Sequence, residues 1–127
     1  MKADTASQFL ELCGHIVIWG ERIPVFIGDM DFEAFAKDEI TYLAVWKCVE
    51  VLGEASAKIL RLDEALDAAY PHLMLRSARS MRNQLTHGYT SVDIGILWRT
   101  VHAFVPEMVK AARSIVEEAG KGNETAG

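Results

Sequence analysis

The sequence predicts an all-α protein that folds as an antiparallel bundle of four or five helices. Three observations favour this class. Apolar residues recur at intervals close to 3.6 along most of the chain, as amphipathic helices require. Residues 32–60 keep this pattern for much longer than a strand would. The one extended-looking piece, residues 25–27, has no second strand with which it could pair.

The first predicted helix spans residues 6–20, whose apolar side chains follow the helical period. We expect Gly20 and the segment Arg22–Gly28 to interrupt it. Pro24 lies in this segment, and a proline cannot donate the backbone hydrogen bond that a helix interior needs. The sequence therefore predicts that the helix ends before Pro24.

A long second helix is predicted from an N-cap at Asp31 to about Leu60. Acidic residues follow Asp31 in the first turn, where the helix dipole favours negative charge. At ~1.5 Å per residue this helix would be about 45 Å long and would form the spine of a bundle or of a dimer. Gly53 lies inside it at a cost of roughly 1 kcal/mol relative to alanine, so we expect close helix packing there.

The next predicted elements lead to the most polar part of the chain. Residues 62–72 are expected to form a loop or a short helix. A third helix follows over residues 73–87, and Gly88 stands where a left-handed C′ glycine would end it. Ser91 is the predicted N-cap of a fourth helix, with Asp93 in its first turn.

The C-terminal part of the chain contains a proline and a polar tail. Pro106 either kinks the fourth helix or starts a fifth, which would continue from Glu107 to about Glu118. Residues 120–127 are small and polar, and we expect them to form a disordered tail. No internal repeat or linker divides the chain, so we predict a single helical domain over residues 1–119.

The charge distribution separates an acidic body from one basic patch. The formal net charge is −5, which argues against a general nucleic-acid coat protein, because such proteins bind through many phosphate contacts. Residues 29–67 carry ten acidic and four basic side chains. Residues 71–94 carry three arginines and two histidines against one acid, Asp93. An acidic chain can therefore still hold a local anion-binding site.

The two cysteines, Cys13 and Cys48, form no Cys-x-x-Cys pair and have no further ligands for zinc. We interpret both as buried thiols in a reducing compartment. The N-terminus lacks the features of a signal peptide, and no apolar run approaches the ~18 residues that span a bilayer. The sequence therefore predicts a soluble, cytoplasmic protein without membrane contact.

The segment RNQLTHGY, residues 82–89, combines a cation, an amide, an imidazole and a phenol near the predicted end of the third helix. Asn83 and His87 are four residues apart and share a face of that helix. Arg82 lies about 140° around the helix from His87, so a straight helix does not aim both side chains at one point. Either the helix end bends, or a second protomer completes the site.

These residue types suit cleavage of an RNA phosphodiester. Arginine holds phosphate through two parallel hydrogen bonds, and histidine titrates near neutral pH. Together they allow acid–base catalysis with the RNA 2′-OH as nucleophile and without a metal. The sequence contains no HExxH motif, paired aspartates or Cys/His cluster that would indicate a metal site. Each residue also has an ordinary stabilising use near a helix end, and this alternative stays open.

Other polar residues carry weaker signals. Glu50 and Glu54 are one helical turn apart, and we favour a salt-bridged or solvated face over a pair of catalytic carboxylates. Arg76 and Arg79 are either solvated or in contact with RNA phosphates, and the sequence leaves both alternatives open. Three histidines without partners at a fixed spacing are interpreted as structural or surface residues: His15, His72 and His102.

Three segments, in order along the chain, resemble one known family. RNQLTHGY fits R-x4-H-x-Y, the signature of the HEPN superfamily, and residues 81–101 are similar to its HepT-like branch. Residues 44–59, AVWKCVEVLGEASAKI, resemble a conserved helix of that branch with a Glu-x-x-Gly-Glu-Ala core. The segment FVPEM, residues 104–108, resembles its Leu-Pro-Glu-Leu element. The resemblance covers roughly residues 30–118.

The HepT-like resemblance implies an all-helical homodimer that acts as the toxin of a type VII toxin–antitoxin system. It implies a metal-independent endoribonuclease without a cofactor, whose two signature motifs face each other in a cleft between protomers. Arg82 and His87 would be catalytic, and Asn83 would support them. Tyr89 would be the residue to which the cognate antitoxin, a minimal nucleotidyltransferase, adds AMP. The alternative is a non-catalytic helical adaptor that binds such a nucleotidyltransferase.

Overall fold

The computed structural model describes residues 1–87 and 93–126, and the side chains of residues 86–87 and 123–126 lie outside this description. The described ranges contain no strand, which confirms the predicted all-α class. No helix within them has the length and apolar character needed to cross a membrane. Their elements are α1 (Ala3–Ile27), α2 (Phe32–Lys37), α3 (Glu39–Leu62), α4 (Leu66–Ala69), a 3-10 turn (Pro71–Leu73), α5 (Leu75–His87), α6 (Ile94–Ala103) and α7 (Val105–Ala126).

The first helix, α1, continues through Pro24, so its predicted end before this residue is wrong. The missing N–H of a proline costs about 3 kcal/mol in a helix interior. Pro24 itself is exposed, whereas Ile23 and Ile27 are buried, and burial of each such side chain contributes about 1.5–3 kcal/mol. Packing of this apolar face therefore offsets the loss. α1 ends at Gly28, whose φ of 56° is left-handed and whose N–H donates to the Pro24 carbonyl oxygen.

The predicted long helix is in fact two helices, α2 and α3, which are separated by Asp38. The Asp38 carboxylate caps α3 by accepting a hydrogen bond from the Thr41 N–H at 3.1 Å. Asp31 caps α2 through the Ala34 N–H at 2.9 Å, as the sequence predicts. Aspartate favours caps over helix interiors, because its short side chain competes for the backbone N–H groups. At 24 residues, α3 is about 36 Å long.

The central helix of the bundle is α3, which packs against both α1 and α5, while α7 packs against α1 and α6. The faces that meet are apolar, and even the buried Ser56 hydroxyl is satisfied by donating to the Leu52 carbonyl oxygen at 2.8 Å. The largest fully buried side chains come from most of the elements: Ile16, Ile23, Phe35, Leu52, Ile59, Leu73, Leu75 and Leu97. Burial of this core fixes the positions of α3 and α5, which carry the candidate site.

The third predicted helix corresponds to α5, which spans Leu75–His87 and therefore begins two residues after the predicted start near Leu73. The next helix, α6, has Asp93 as its N-cap, because this carboxylate accepts a hydrogen bond from the Ile96 N–H at 3.0 Å. Asp93 is therefore the cap itself, and its predicted place in the first turn of this helix is wrong. The predicted C′ residue Gly88 and the predicted cap Ser91 lie outside the described residues.

The last helix, α7, begins at Val105 with Pro106 in its first turn. This confirms the alternative in which Pro106 starts a new helix, since a proline there lacks only an N–H that would be unpaired anyway. α7 extends to Ala126, so its predicted end near Glu118 is wrong. A domain boundary at residue 119 and a disordered tail over residues 120–127 stay predictions.

Both cysteines are buried, as predicted. Burial raises the pKa of the Cys13 thiol to about 12. Burial also raises the pKa of Cys48, an effect that the nearby charge of Arg22 partly offsets. Both thiols are therefore protonated at neutral pH and serve as small apolar core groups.

Candidate functional site

The candidate site begins where α5 crosses α3 at Gly53. A Cβ atom at this residue would lie 2.8 Å from the Ala78 carbonyl oxygen and 3.2 Å from the Arg82 Cγ atom. A backbone carbonyl in a helix cannot move aside cheaply, so only glycine allows the two helices to approach this closely. The predicted close packing at Gly53 is confirmed, and it brings Arg82 directly against α3.

The guanidinium group of Arg82 is held from two sides. Its Nη1 donates to Oε2 of Glu54 on α3. Its Nε and Nη2 both donate to Oδ1 of Asn83, at 3.2 and 2.8 Å. The other carboxylate oxygen of Glu54 lies 3.9 Å from Nη2 of Arg61, so a second cation holds Glu54 in turn. These bonds fix the orientation of Arg82, whose side chain is 24% exposed.

The fixed guanidinium retains capacity for a ligand. Three of the five N–H groups of an arginine side chain are used by Glu54 and Asn83, which leaves two of them. Arginine recognises the oxygens of phosphate with this planar fork. Because Arg82 is already oriented, it would lose little conformational entropy when it binds an anion.

The partner of Arg82 was missed by sequence reasoning. Glu54 and Glu50 form ion pairs, which confirms the salt-bridged interpretation of this face. Glu50 pairs with Lys47 at 3.0 Å, one turn away on α3. The available signal for Glu54 was its position next to Gly53, since close approach at that glycine brings the neighbouring carboxylate within reach of α5.

The other arginines of the basic patch differ in their surroundings. Nε of Arg76 donates to Oδ2 of Asp67 at 3.0 Å, so this charge is partly neutralised by an acid of α4. Arg79 is half-buried on α5, one turn before Asn83. Contact of Arg76 or Arg79 with RNA stays a prediction.

Two residues of the signature lie outside what the structure describes. His87 is the last residue of α5, and its side chain is outside the description. Tyr89 is also outside it. The structure therefore brings Arg82 and Asn83 together. The positions of the His87 imidazole and the Tyr89 phenol lie outside what it describes. The catalytic roles of Arg82 and His87, the supporting role of Asn83 and the modification of Tyr89 stay predictions.

Arg82 and Asn83 open onto a cleft of about 650 Å³ between α1, α3 and α5. Three cations and two carboxylates line this cleft. With the imidazole of its lining residue His15 counted as neutral, the cleft has a net charge of +1, whereas the whole chain has a formal net charge of −5. Among the side chains that the structure describes, which exclude that of His87, no three of His, Cys, Asp or Glu form a group that could hold a metal ion. The lining residues are Leu12, His15, Lys47, Glu50, Val51, Glu54, Ala55, Lys58, Arg82 and Asn83.

The three remaining histidines do not have equal surroundings. His72 lies 2.8 Å from Oε1 of Glu107 and links the 3-10 turn to α7. The Nδ1 of His102 lies 2.8 Å from the carbonyl oxygen of Trp98, one turn back on α6. Both agree with the predicted structural role. His15, in contrast, lines the cleft that contains Arg82, and no spacing in the sequence indicated this.

The described part of the chain is an all-α bundle in which Arg82 and Asn83 lie on a helix that reaches His87, as the resemblance to the HEPN superfamily implies. A family model described as ribonuclease HepT-like matches residues 20–115, which is more than half of the chain. The chain therefore belongs to the HepT-like ribonuclease family, which confirms the predicted resemblance.

Curated relatives agree with this assignment. The chain is 34% identical over 103 residues to "Putative RNase MJ0125" of Methanocaldococcus jannaschii, which covers 81% of this chain and 86% of the relative. It is 35% identical over 88 residues to "Probable ribonuclease HepT" of Thermococcus cleftensis. This match covers 69% of this chain and 77% of the relative. No solved structure gives a significant match. The relatives' names support the broader prediction of a ribonuclease.

Proposed function

We propose that the protein is a metal-independent endoribonuclease and the toxin of a type VII toxin–antitoxin system. The observation that carries this proposal is the Arg82 guanidinium, which Glu54 and Asn83 hold in an open cleft and of which two N–H groups are bonded to none of the described residues. Membership of the HepT-like ribonuclease family supports the same conclusion. No cofactor is required.

In the proposed reaction, Arg82 binds the non-bridging oxygens of the scissile phosphate and neutralises the charge that develops there. His87 accepts the proton of the RNA 2′-OH as the 2′ oxygen attacks phosphorus. The bond from phosphorus to the 5′ oxygen breaks, and His87, which now carries the proton of the 2′-OH, donates it to that leaving oxygen. The products are a 2′,3′-cyclic phosphate and a free 5′-hydroxyl, so atoms and charges balance without a metal or water.

One helix does not aim Arg82 and His87 at the same point, and a second protomer removes this difficulty. We propose a homodimer in which His87 of the partner subunit completes the site. An apolar stripe supports this: Ile40 and Leu43 of α3 are exposed, by 84% and 39%, and share a face with the cleft residue Lys47. A second copy would cover this stripe and face the cleft at the same time.

Glu54 and Gly53 are proposed as positioning residues for this reaction. Glu54 orients Arg82 through a charge-assisted hydrogen bond, and Gly53 allows α5 to lie close enough for that bond. Neither needs to touch RNA. Loss of either should therefore act through Arg82, mainly by lowering the rate of the chemical step in which Arg82 neutralises the developing charge.

Tyr89 is proposed as the site at which a minimal nucleotidyltransferase antitoxin adds AMP. The phenol is two residues from His87, so a tyrosyl adenylate would place bulk and negative charge beside the imidazole. A substrate phosphate would then be repelled from the site. This provides a physical reason for inhibition of the toxin by modification rather than by simple binding.

Growth arrest on expression in a bacterial host tests the toxin against the adaptor alternative. Wild type and Tyr89→Phe should both arrest growth, and His87→Ala should not. Co-expression of the cognate nucleotidyltransferase should relieve the growth arrest caused by wild type, but not the growth arrest caused by Tyr89→Phe. Intact mass should show added AMP on wild type and none on Tyr89→Phe. A protein that arrests growth equally with His87→Ala, or that binds the nucleotidyltransferase but never arrests growth, contradicts the proposal.

A further inference from the structure

Two side chains without an assigned role line the same cleft as Arg82: His15 on α1 and Lys58 on α3. Both are exposed, and they lie on two helices that pack against each other. Sequence spacing gave no reason to associate either of them with Arg82, because His15 is 67 residues and Lys58 is 24 residues away along the chain. The packing of α1 on α3 is what brings them to one cleft.

Most charged side chains of the cleft form ion pairs, whereas the two residues just named do not. Lys47 pairs with Glu50, and Arg82 pairs with Glu54. In the part of the chain that the structure describes, neither Lys58 nor His15 has an ion pair or a hydrogen-bond partner for its side chain. The unneutralised positive charge of the cleft therefore lies at Lys58, and His15 adds N–H donor capacity in the same cleft.

From this arrangement we infer that His15 and Lys58 form a second phosphate-binding subsite, which holds an RNA phosphate next to the one bound by Arg82. This inference rests on the proposed ribonuclease function. Lysine contacts phosphate as a flexible point charge, and the imidazole N–H donates to a phosphate oxygen. Leu12 and Val51 give the same cleft an apolar surface against which a ribose or base can pack. The RNA strand would thus follow the α1–α3 groove toward Arg82.

Binding of an uncleavable RNA tests the subsite separately from catalysis. The probe is a fluorescein-labelled 2′-O-methyl oligoribonucleotide, which lacks the nucleophile, and its Kd is measured by fluorescence anisotropy over a series of KCl concentrations. Lys58→Gln, His15→Ala and the control Lys110→Gln are compared with wild type, each with the intact mass of the unmodified chain. Lys110 is also exposed, but it lies on α7 and lines a different groove with His72 and Glu107.

We expect Lys58→Gln to weaken probe binding several-fold and to reduce the slope of log Kd against log salt by about 0.7, the value for one phosphate contact on a single strand. His15→Ala should also weaken binding, because it removes the N–H donor, and Lys110→Gln should match wild type. Circular dichroism should show the same helicity for all four proteins, because the substituted side chains are exposed.

The contrary outcomes separate the subsite from the reaction. Cleavage of ordinary RNA by the same wild-type sample is measured in parallel. If wild type cuts RNA and both cleft variants bind the probe as wild type does, the subsite is wrong and the proposed function stands. An equal loss in Lys110→Gln would mean bulk electrostatic attraction and would also overturn the subsite. If wild type neither binds the probe nor cuts RNA, the proposed function fails and the subsite fails with it.

Discussion

Substitution of Gly53 by alanine should destabilise the protein although alanine is the better helix former. In an open helix the change stabilises by roughly 1 kcal/mol. At Gly53, however, the added Cβ would lie 2.8 Å from the Ala78 carbonyl oxygen and 3.2 Å from Arg82 Cγ, so α5 must move away from α3. Overpacking of this kind typically costs about 1–3 kcal/mol. We expect a net loss of about 1 kcal/mol, the difference between these two effects.

Gly14 provides a matched control for this substitution. It lies inside α1, and a Cβ at Gly14 would meet no atom within 4 Å. Gly14→Ala should therefore raise the free energy of unfolding by roughly 1 kcal/mol, the opposite sign to Gly53→Ala. Urea unfolding followed by circular dichroism measures both, at equal protein concentration because the stability of a dimer depends on it. Equal stabilisation by the two substitutions would refute the close crossing of α3 and α5.

Three further predictions follow from the described contacts. In steady-state cleavage assays, Glu54→Ala should lower kcat roughly tenfold with little change in KM. The loss in kcat is equivalent to about 1.4 kcal/mol of transition-state stabilisation, and Glu54→Gln should recover part of the activity. Asp38→Ala should lower the free energy of unfolding by about 1 kcal/mol in urea titrations, because the Thr41 N–H loses its cap, and no loss would contradict the cap. The pKa of Cys13 is raised in the folded state, so its contribution to stability is complete below pH 9 and is lost as the pH rises toward 12. Wild type should accordingly lose more stability than Cys13→Ala between about pH 9 and pH 11, and parallel declines would contradict this.

Local sequence signals predicted those parts of the fold that depend on neighbouring residues. The cap at Asp31 follows from side-chain chemistry within one turn. The predictions at Pro24 and Asp38 were wrong in opposite ways: a predicted helix end is absent at the first, and an unpredicted helix end is present at the second. At Pro24 the burial of Ile23 and Ile27 outweighs a local helix breaker, and this energy depends on tertiary packing that the sequence does not display. At Asp38 a local cap interrupts a continuous apolar pattern.

The candidate site shows the same division between local and long-range information. Arg82 and Asn83 are adjacent in sequence, so their association could be predicted, and their hydrogen bonds are present. Glu54 is 28 residues from Arg82, and its contact depends on how α3 and α5 cross. Gly53 gave the one usable signal, because a glycine inside a helix indicates close packing without naming the partner. The place of His15 in the cleft had no signal at all.

RNA cleavage in EDTA by purified wild type and His87→Ala, with the ends of the products identified, shows whether the protein is a metal-independent ribonuclease. Intact mass must show that the wild-type sample carries no AMP. We predict that only wild type cuts, and that the fragments carry 2′,3′-cyclic phosphate and 5′-hydroxyl ends. Cleavage by both proteins, cleavage that needs an added metal ion, or no cleavage by unmodified wild type would contradict a metal-independent ribonuclease that depends on His87.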